Sequence, residues 1–282
     1  MKKETKKRIM AYAFVMPSFL VVMAIVAYPI VEAIIKSFTV EGQSGFTLDN
    51  YIFLLTDELS LSHFKYTLYV VCVTVLFVMV LGYALALFLR FNKSKISKAI
   101  GVLYLIPRFI PGMVAVYAMM NVIRDSGVLN RISQAFGGNF KPGLMYNAKG
   151  LIMMNLWFNI PFAALIITSA LASIPDSIIE GARDVGANVW QVFVKMILPL
   201  SIKDVMISAT FCFMSNVGSF TTPYLMGPNQ PKMLAIALFD QFNNYMNYER
   251  AAALSVLMFL LCSVSAGVYI YTNLKEKKWE QQ

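Results

Sequence analysis

Charged residues are scarce in this sequence, and the scarcity decides the class of protein. Aspartate, glutamate, lysine and arginine make up 14% of the 282 residues, whereas 58% are hydrophobic. A soluble globular domain carries about 25% charged residues. As a soluble domain, this chain would expose far too much apolar surface to water, so we predict an integral membrane protein.

The chain also has few of the groups that enzymes use. Its one histidine, His63, falls in a predicted outer loop at the membrane edge, where it suits an interface better than the base of a nucleophile and base pair. Cys72, Cys212 and Cys262 lie in apolar stretches without CxxC spacing and are predicted to be small buried hydrophobes. No GxxxxGK[ST] phosphate-binding loop is present. We predict a protein that is not an enzyme and that binds no metal or other cofactor itself.

Six apolar stretches are long enough to cross a bilayer. About 20 mostly apolar residues in a helix span the roughly 30 Å hydrocarbon layer, and these runs are too continuous for the strands of a barrel. The first run has no small-residue cleavage site and is expected to remain in the mature protein. No linker divides the chain, so we predict one all-α membrane domain over residues 1–282. The predicted spans are residues 11–35, 66–89, 100–123, 151–172, 205–226 and 251–271.

Basic residues predict the orientation of these spans. Of 24 lysines and arginines, 15 lie in segments 2–8, 90–98, 173–203 and 275–278, and eight lie in the loops on the other side. Loops rich in lysine and arginine remain in the cytoplasm. We therefore predict a multi-pass protein with both termini cytoplasmic. Because the basic residues flank the membrane in short loops, we do not predict nucleic-acid binding.

Two short helices joined by a turn are predicted between the fourth and fifth spans. Pro175 suits the first turn of a helix, where its missing amide hydrogen would be unpaired, and Ser177 with Glu180 fits a capping box. Gly186 suits a left-handed residue that ends this helix, and Asn188 suits the cap of the next one. The second helix is expected to continue until Pro199 interrupts or kinks it. A predicted apolar stripe along both helices consists of Ile178, Ala182, Val185, Val189, Val192 and Met196.

The same segment carries a spaced motif. Its residues are Glu180, Ala182, Gly186, Leu198 and Pro199. Their spacing resembles the EAA loop of ABC importer permeases: Glu-Ala-Ala, three free positions, Gly, nine free positions, Ile, one free position, Leu-Pro. Gly181 and Met196 depart from the pattern. By this resemblance, the residues that contact a partner ATPase are Glu180, Gly181, Ala182, Arg183, Asp184, Gly186, Leu198 and Pro199. The alternative is an amphipathic helix that packs on its own bundle.

The resemblance also implies an assembly. It implies the transmembrane domain of a type I ABC importer, with six spans and a cytoplasmic coupling loop at residues 173–203. The expected partners are two ATPase subunits that bind ATP and magnesium, a second six-span permease, an extracytoplasmic substrate-binding protein and the lipid of a bacterial cell (inner) membrane. The alternative of another class is a secondary transporter, but neither midplane coupling residues nor repeated halves are visible in the sequence.

Polar residues within the spans are candidates for the substrate pathway, because they are costly in lipid. The alternative for each is packing between helices. Arg108 is either an anion site or gate, or an arginine that snorkels or pairs with a carboxylate such as Glu32. The candidates are Arg108, Asn121, Asn155, Asn159, Ser215, Asn216, Ser219 and Thr222.

The substrate is indicated by resemblance alone. Segments 217–227 and 251–255 resemble the branch of permeases for polyamines, phosphonates, ferric iron and thiamine more than the sugar branch. Within it we favour a spermidine or putrescine type, with the other substrates and a sugar as alternatives. No span carries a central carboxylate for a polyamine, although Trp157, Tyr117 and Tyr224 offer aromatic faces for cation–π contacts.

Overall fold

A computed structural model describes residues 2–40 and 45–277, and over these residues all regular structure is helical. Lys278, counted above among the basic C-terminal residues, lies outside them. The helices in chain order are α1 (Lys2–Val22), α2 (Tyr28–Ser37), α3 (Asp49–Thr56), α4 (Glu58–Phe91), α5 (Lys95–Leu103), α6 (Gly112–Ile123), α7 (Val128–Ala135), α8 (Ala148–Ala172), α9 (Asp176–Asp184), α10 (Val189–Val192), α11 (Leu198–Val217), α12 (Thr221–Met226), α13 (Leu234–Phe239) and α14 (Tyr248–Lys277).

The chain forms two compact units. The first lies within Met1–Leu61 and Leu238–Phe259, and the second within Ser62–Ala237 and Leu260–Gln282. The prediction of a single membrane domain over residues 1–282 stays a prediction.

In the first unit, α1 and α2 are joined by a π-helical turn at Met23–Ala27 and form one long helix. Its apolar side chains are exposed, as expected of a helix that faces lipid or another subunit. The end of α2 is tied to α3, because the buried Asn50 amide donates to the carbonyls of Ser37 at 3.0 Å and Thr39 at 2.8 Å. Arg250 of α14 lies over the Phe53 ring at 3.9 Å.

In the second unit, the core lies between α4, α8 and α11. Val78, Ile167 and Leu171 are fully buried there. A Cβ at Gly82 would lie 3.0 Å from the Cβ of Ala163, so the glycine permits a close approach of α4 to α8. This packing gives α8 fixed neighbours on either side.

Five of the six predicted spans correspond to long apolar helices. These are Tyr12–Ser37, Glu58–Phe91, Ala148–Ala172, Val189–Val217 and Tyr248–Tyr271. The helix of the fifth span begins earlier than predicted and stops at Val217. After a non-helical step at Gly218–Phe220, α12 completes the predicted stretch, which agrees with the breakable polar run in the sequence.

The third predicted span, residues 100–123, is not one straight helix. It divides into Lys95–Arg108 and a second helical segment from Gly112, with an angle of 108° between them. Pro107 and Pro111 flank the break, and each removes a backbone donor that a continuous helix would need. The apolar composition of this stretch agrees with the prediction, but the expectation of one continuous helix is wrong.

The expectations for the histidine and the cysteines have mixed outcomes. His63 lies in α4, not in a loop, and its Nδ1 accepts a hydrogen bond from the Lys232 amide at 3.0 Å. Cys72 is exposed, contrary to the prediction that it is buried, whereas Cys212 is buried.

Candidate functional site

The segment between α8 and α11 folds as the predicted helix, turn and helix; we call α9, the turn and residues 189–197 the coupling element. Its first helix begins at Asp176 as predicted, but Pro175 is the N-cap residue and no side chain caps the helix. The predicted capping box of Ser177 and Glu180 is therefore wrong. Ser177 is already the second residue of the helix, so its backbone is inside the first turn and not at the cap.

The turn has the predicted conformation. Gly186 adopts a φ of 86°, the left-handed region that glycine tolerates best. The Ala187 amide donates to the Ala182 carbonyl at 3.0 Å, a bond that closes the end of α9. Asn188 and Gln191 then cap α10 reciprocally, at 2.8 Å and 2.9 Å between side-chain oxygens and backbone amides. The predicted asparagine cap is confirmed.

The predicted apolar stripe is not continuous, because the turn interrupts the helical period. Val192 is buried at 2% exposure, whereas Val185 and Val189 are 85% and 74% exposed. Ile179, next to the predicted Ile178, is the buried residue of α9 in the core, and Ala182 of the predicted stripe packs against that core. The coupling element thus has one apolar side against its own bundle and a second apolar side that is open.

The residues assigned to ATPase contact lie mostly on open surface. Ala182 and Leu198 are half-buried. Pro199 does not interrupt the helix, because a π-helical turn at Phe193–Ile197 precedes it and the chain remains helical from Val189 to Val217. The exposed members are Glu180, Gly181, Arg183, Asp184, Gly186 and Pro199.

An apolar groove of about 680 Å³ runs along the coupling element. The end of α4 forms one wall, with Phe88 and Phe91. The coupling element forms the other wall, where Trp190 is 70% exposed and Arg183 is the charged lining residue. Such a groove can hold apolar side chains of another protein or the acyl chains of lipid.

Sequence reasoning missed the residue that ties this region to the bundle. In the sequence, Arg90 is only one of the basic residues that predict the topology. In the structure, its Nε donates to the Leu171 carbonyl and one Nη donates to the Ile174 carbonyl, both at 3.1 Å. The same Nη is 2.6 Å from Oδ1 of Asp176. No local pattern in the sequence predicts these contacts, because the partners of Arg90 lie more than eighty residues away along the chain.

The candidate pathway residues divide by burial. Arg108, Asn121 and Ser215 are exposed and Ser219 is half-buried. The buried members are Asn155, Asn159, Asn216 and Thr222.

Two of the buried asparagines bond within their own helices. The Asn159 amide donates to the Asn155 carbonyl at 2.7 Å, and the Asn216 amide donates to the Cys212 carbonyl at 2.6 Å. The exposed Asn121 makes the same kind of bond, to the Tyr117 carbonyl at 3.1 Å. These bonds therefore do not separate pathway residues from packing residues, and the pathway role of all eight candidates stays a prediction.

Arg108 lies over the ring of Phe162 in α8, with its guanidinium carbon 5.0 Å from the ring centroid. It is exposed, and no carboxylate pairs with it among the described residues of its own unit. Glu32, the partner suggested by the sequence, is 3.7 Å from Lys36, one turn away in the same helix. The guanidinium is therefore held by an aromatic face and remains accessible.

An open cavity of about 520 Å³ with a mixed polar and apolar lining lies between α8 and α11 near the coupling element. Ser169 and Ser173 contribute hydroxyl groups and Asp204 contributes the charged group of its lining. Asp204 is half-buried, and among the described residues no hydrogen bond or ion pair to its carboxylate is present. The predicted fifth span begins at residue 205, so this carboxylate falls one position outside the stretch that supplied the polar candidates.

Comparison with known proteins agrees with this architecture. The family described as "Binding-protein-dependent transport system inner membrane component" matches residues 78–277. The chain belongs to this family. It is therefore a permease subunit of ABC importers, a non-enzymatic subunit of the inner membrane, and its long apolar helices agree with a multi-pass protein.

Individual relatives differ in what they transport. The chain is 25% identical over 225 residues to the spermidine/putrescine transport system permease protein PotB of Salmonella typhimurium (strain SL1344), a match that covers 79% of this chain and 78% of that protein. It is 28% identical over 263 residues to the osmoprotective compounds uptake permease protein GgtC of Synechocystis sp. (strain ATCC 27184 / PCC 6803 / Kazusa), covering 88% and 93%.

A solved structure shows the same fold. A chain of the bacterial alginate ABC transporter, crystallised in complex with an alginate pentasaccharide-bound periplasmic protein, superposes with a TM-score of 0.81 at 19% identity. The match covers 99% of this chain and 97% of that one. The predicted all-α permease fold is thereby confirmed.

Proposed function

We propose that this chain forms half of the translocation pathway of an ATP-driven importer and binds an ATPase subunit through the coupling element. The observation that carries this proposal is the exposed surface of α9 and the following turn, where Glu180 and Gly186 of the spaced motif are open to a partner. In this assembly both termini are cytoplasmic, two ATPase subunits bind ATP and magnesium, a second six-span permease completes the pathway, and an extracytoplasmic protein delivers substrate.

Site-specific photo-cross-linking tests the coupling contact. A photoreactive amino acid at Val185, which is 85% exposed in the turn, is expected to cross-link to a P-loop ATPase in native membranes. The matched control is Phe136, which is 87% exposed at the end of α7. Cross-linking to an ATPase from both positions, or from neither in a complex that contains the ATPase, would contradict the proposed contact.

For the substrate we propose a polyamine of the spermidine or putrescine type. The cavity with Asp204, Ser169 and Ser173 supports this choice, because a carboxylate beside two hydroxyls suits an ammonium group. The similarity to PotB points in the same direction. Arg108 favours the second candidate, an anion such as a phosphonate, since an accessible guanidinium attracts negative charge. Ferric iron, thiamine and sugars remain alternatives.

Uptake assays separate these substrates. In proteoliposomes that contain the whole complex, ATP-dependent import of radiolabelled putrescine is expected, with competition by spermidine and none by trehalose or a phosphonate. Import of radiolabelled trehalose without import of putrescine would move the assignment to the sugar type. Import driven by an ion gradient without ATP would identify a secondary transporter and contradict the proposal.

A further inference from the structure

One arginine joins the end of α8 to the start of the coupling element. Arg90 lies in the last turn of α4, and its guanidinium contacts the carbonyls of Leu171 and Ile174 and the carboxylate of Asp176. Leu171 belongs to the last turn of α8, and Asp176 is the first residue of α9. A single side chain of α4 therefore holds both helices where they meet.

The carbonyl contacts are the stronger part of this clamp. Leu171 lies in the last turn of α8, and a cation near the C-terminal end of a helix is favoured by the helix dipole. The Arg90 side chain is only 18% exposed, whereas that of Asp176 is 56% exposed, so water screens the ion pair more than the carbonyl bonds. A guanidinium is planar and can donate hydrogen bonds to three acceptors in that plane. A lysine ammonium lacks this planar arrangement of donors.

The same helix also contacts the far end of the coupling element. Two turns before Arg90, the Tyr83 ring meets Phe193 edge to face at 5.8 Å, and its hydroxyl is 2.6 Å from that of Ser201. Helix α4 thus contacts the element at its entry and at its exit. A displacement of α9 or α10 would therefore act on both of these contacts with α4.

We propose that α4 receives the movement of the coupling element, and that Arg90 is the positioning residue through which this movement enters the bundle. The inference rests on the proposed function, because it needs an ATPase bound to the element. It adds a named transmission route, from Asp176 through Arg90 to the long helix that lies against α8.

The test uses the whole complex with its co-purified ATPase and binding protein in proteoliposomes. The variants are Arg90→Gln, which removes the charge and the planar set of donors, and Arg90→Lys, which keeps only the charge. Lys93→Ala is the matched control, since it removes a nearby exposed positive charge with no described contact. Two quantities are measured: hydrogen exchange of residues 176–184, and the ratio of ATP hydrolysis with binding protein to that without it.

Arg90→Gln is expected to speed exchange in residues 176–184 and to lower the stimulation ratio by roughly fivefold or more while the ATPase stays bound. Arg90→Lys should fall between wild type and Arg90→Gln, and Lys93→Ala should match wild type. If Arg90→Gln speeds exchange but leaves the stimulation ratio unchanged, Arg90 has only a structural role and the inference is overturned. If Arg90→Gln leaves exchange in residues 176–184 unchanged, Arg90 does not hold α9 in place and the inference is overturned as well. Failure of any ATPase to co-purify would instead overturn the proposed function.

Discussion

The hydroxyl oxygens of Tyr83 and Ser201 lie 2.6 Å apart in the buried contact between α4 and α11. The Ser201 hydroxyl also donates to the Ile197 carbonyl at 2.8 Å. Since a serine has one proton to donate, Tyr83 is the donor in the shared bond. Removal of Tyr83 therefore takes a donor from Ser201, whereas removal of the Ser201 hydroxyl takes the acceptor from Tyr83.

Removing each partner should therefore have a different effect on stability. Tyr83→Phe leaves Ser201 with its donation to Ile197 and should lower the free energy of unfolding by about 1 kcal/mol. Ser201→Ala leaves a buried phenol without an acceptor and should cost roughly 1–3 kcal/mol. Thermal unfolding in mild detergent measures both, and Tyr69→Phe, at a residue that is 55% exposed on the same helix, is the control. Equal losses for the two variants would argue against the assigned donor.

Two glycines of the coupling element should respond to alanine with opposite signs. Gly186 has a φ of 86°, so an alanine there should cost about 1–2 kcal/mol of strain. Gly181 lies inside α9, and a Cβ added there would have no neighbouring atom within 4 Å, so an alanine should stabilise the helix by roughly 0.5–1 kcal/mol. Hydrogen exchange of residues 176–192 reports both changes. Destabilisation by Gly181→Ala in the isolated chain would show that α9 is not a simple exposed helix.

Asp204 should matter for a cationic substrate and not for a neutral one. Asp204→Asn keeps the size of the side chain but removes its charge, so putrescine import at low concentration is expected to fall roughly tenfold. Asp204→Glu should retain much of the activity, because it keeps the carboxylate. The measurement is the initial import rate against putrescine concentration.

The matched control for Asp204 is Leu165→Ala, which alters the lining of the same cavity without changing its charge. This variant should import putrescine at close to the wild-type rate, since the ammonium group is held by the carboxylate. An unchanged rate in Asp204→Asn would remove the carboxylate from the pathway. An equal loss in Leu165→Ala and Asp204→Asn would assign the effect to the shape of the cavity instead of its charge.

Local signals in the sequence predicted the turn and the asparagine cap of the coupling element but not the capping at the start of α9, and contacts between distant segments were not predictable. The left-handed Gly186 and the Asn188 cap depend on neighbours within a few residues, and both are present. The clamp by Arg90 depends on residues 81 to 86 positions away, which no local pattern reveals. The break between Pro107 and Pro111 was not predicted, because the span was assigned from the length of its apolar run.

The sign of the charge effect at Arg108 should identify the substrate class. The guanidinium lies over Phe162 at 5.0 Å and is exposed, so its charge acts on whatever passes this face of α8. For a polyamine, Arg108→Gln removes a repulsive charge, and putrescine import should equal or exceed that of wild type. For an anion, the same variant removes an attractive site, and import should fall. Arg108→Lys keeps the charge and controls for loss of packing on the ring.

Assembly must be measured beside transport, because the arginine also packs. The cation–π contact is worth about 0.5–1 kcal/mol at an exposed site, too little to prevent folding. Equal recovery of the complex from Arg108→Gln and wild-type membranes would assign any change in import to the charge itself. Because Arg108 and Asp204 both lie beside α8 and carry opposite charges, a polyamine predicts loss only at Asp204. An anion predicts loss only at Arg108, and loss at neither position would exclude these two charges from the pathway.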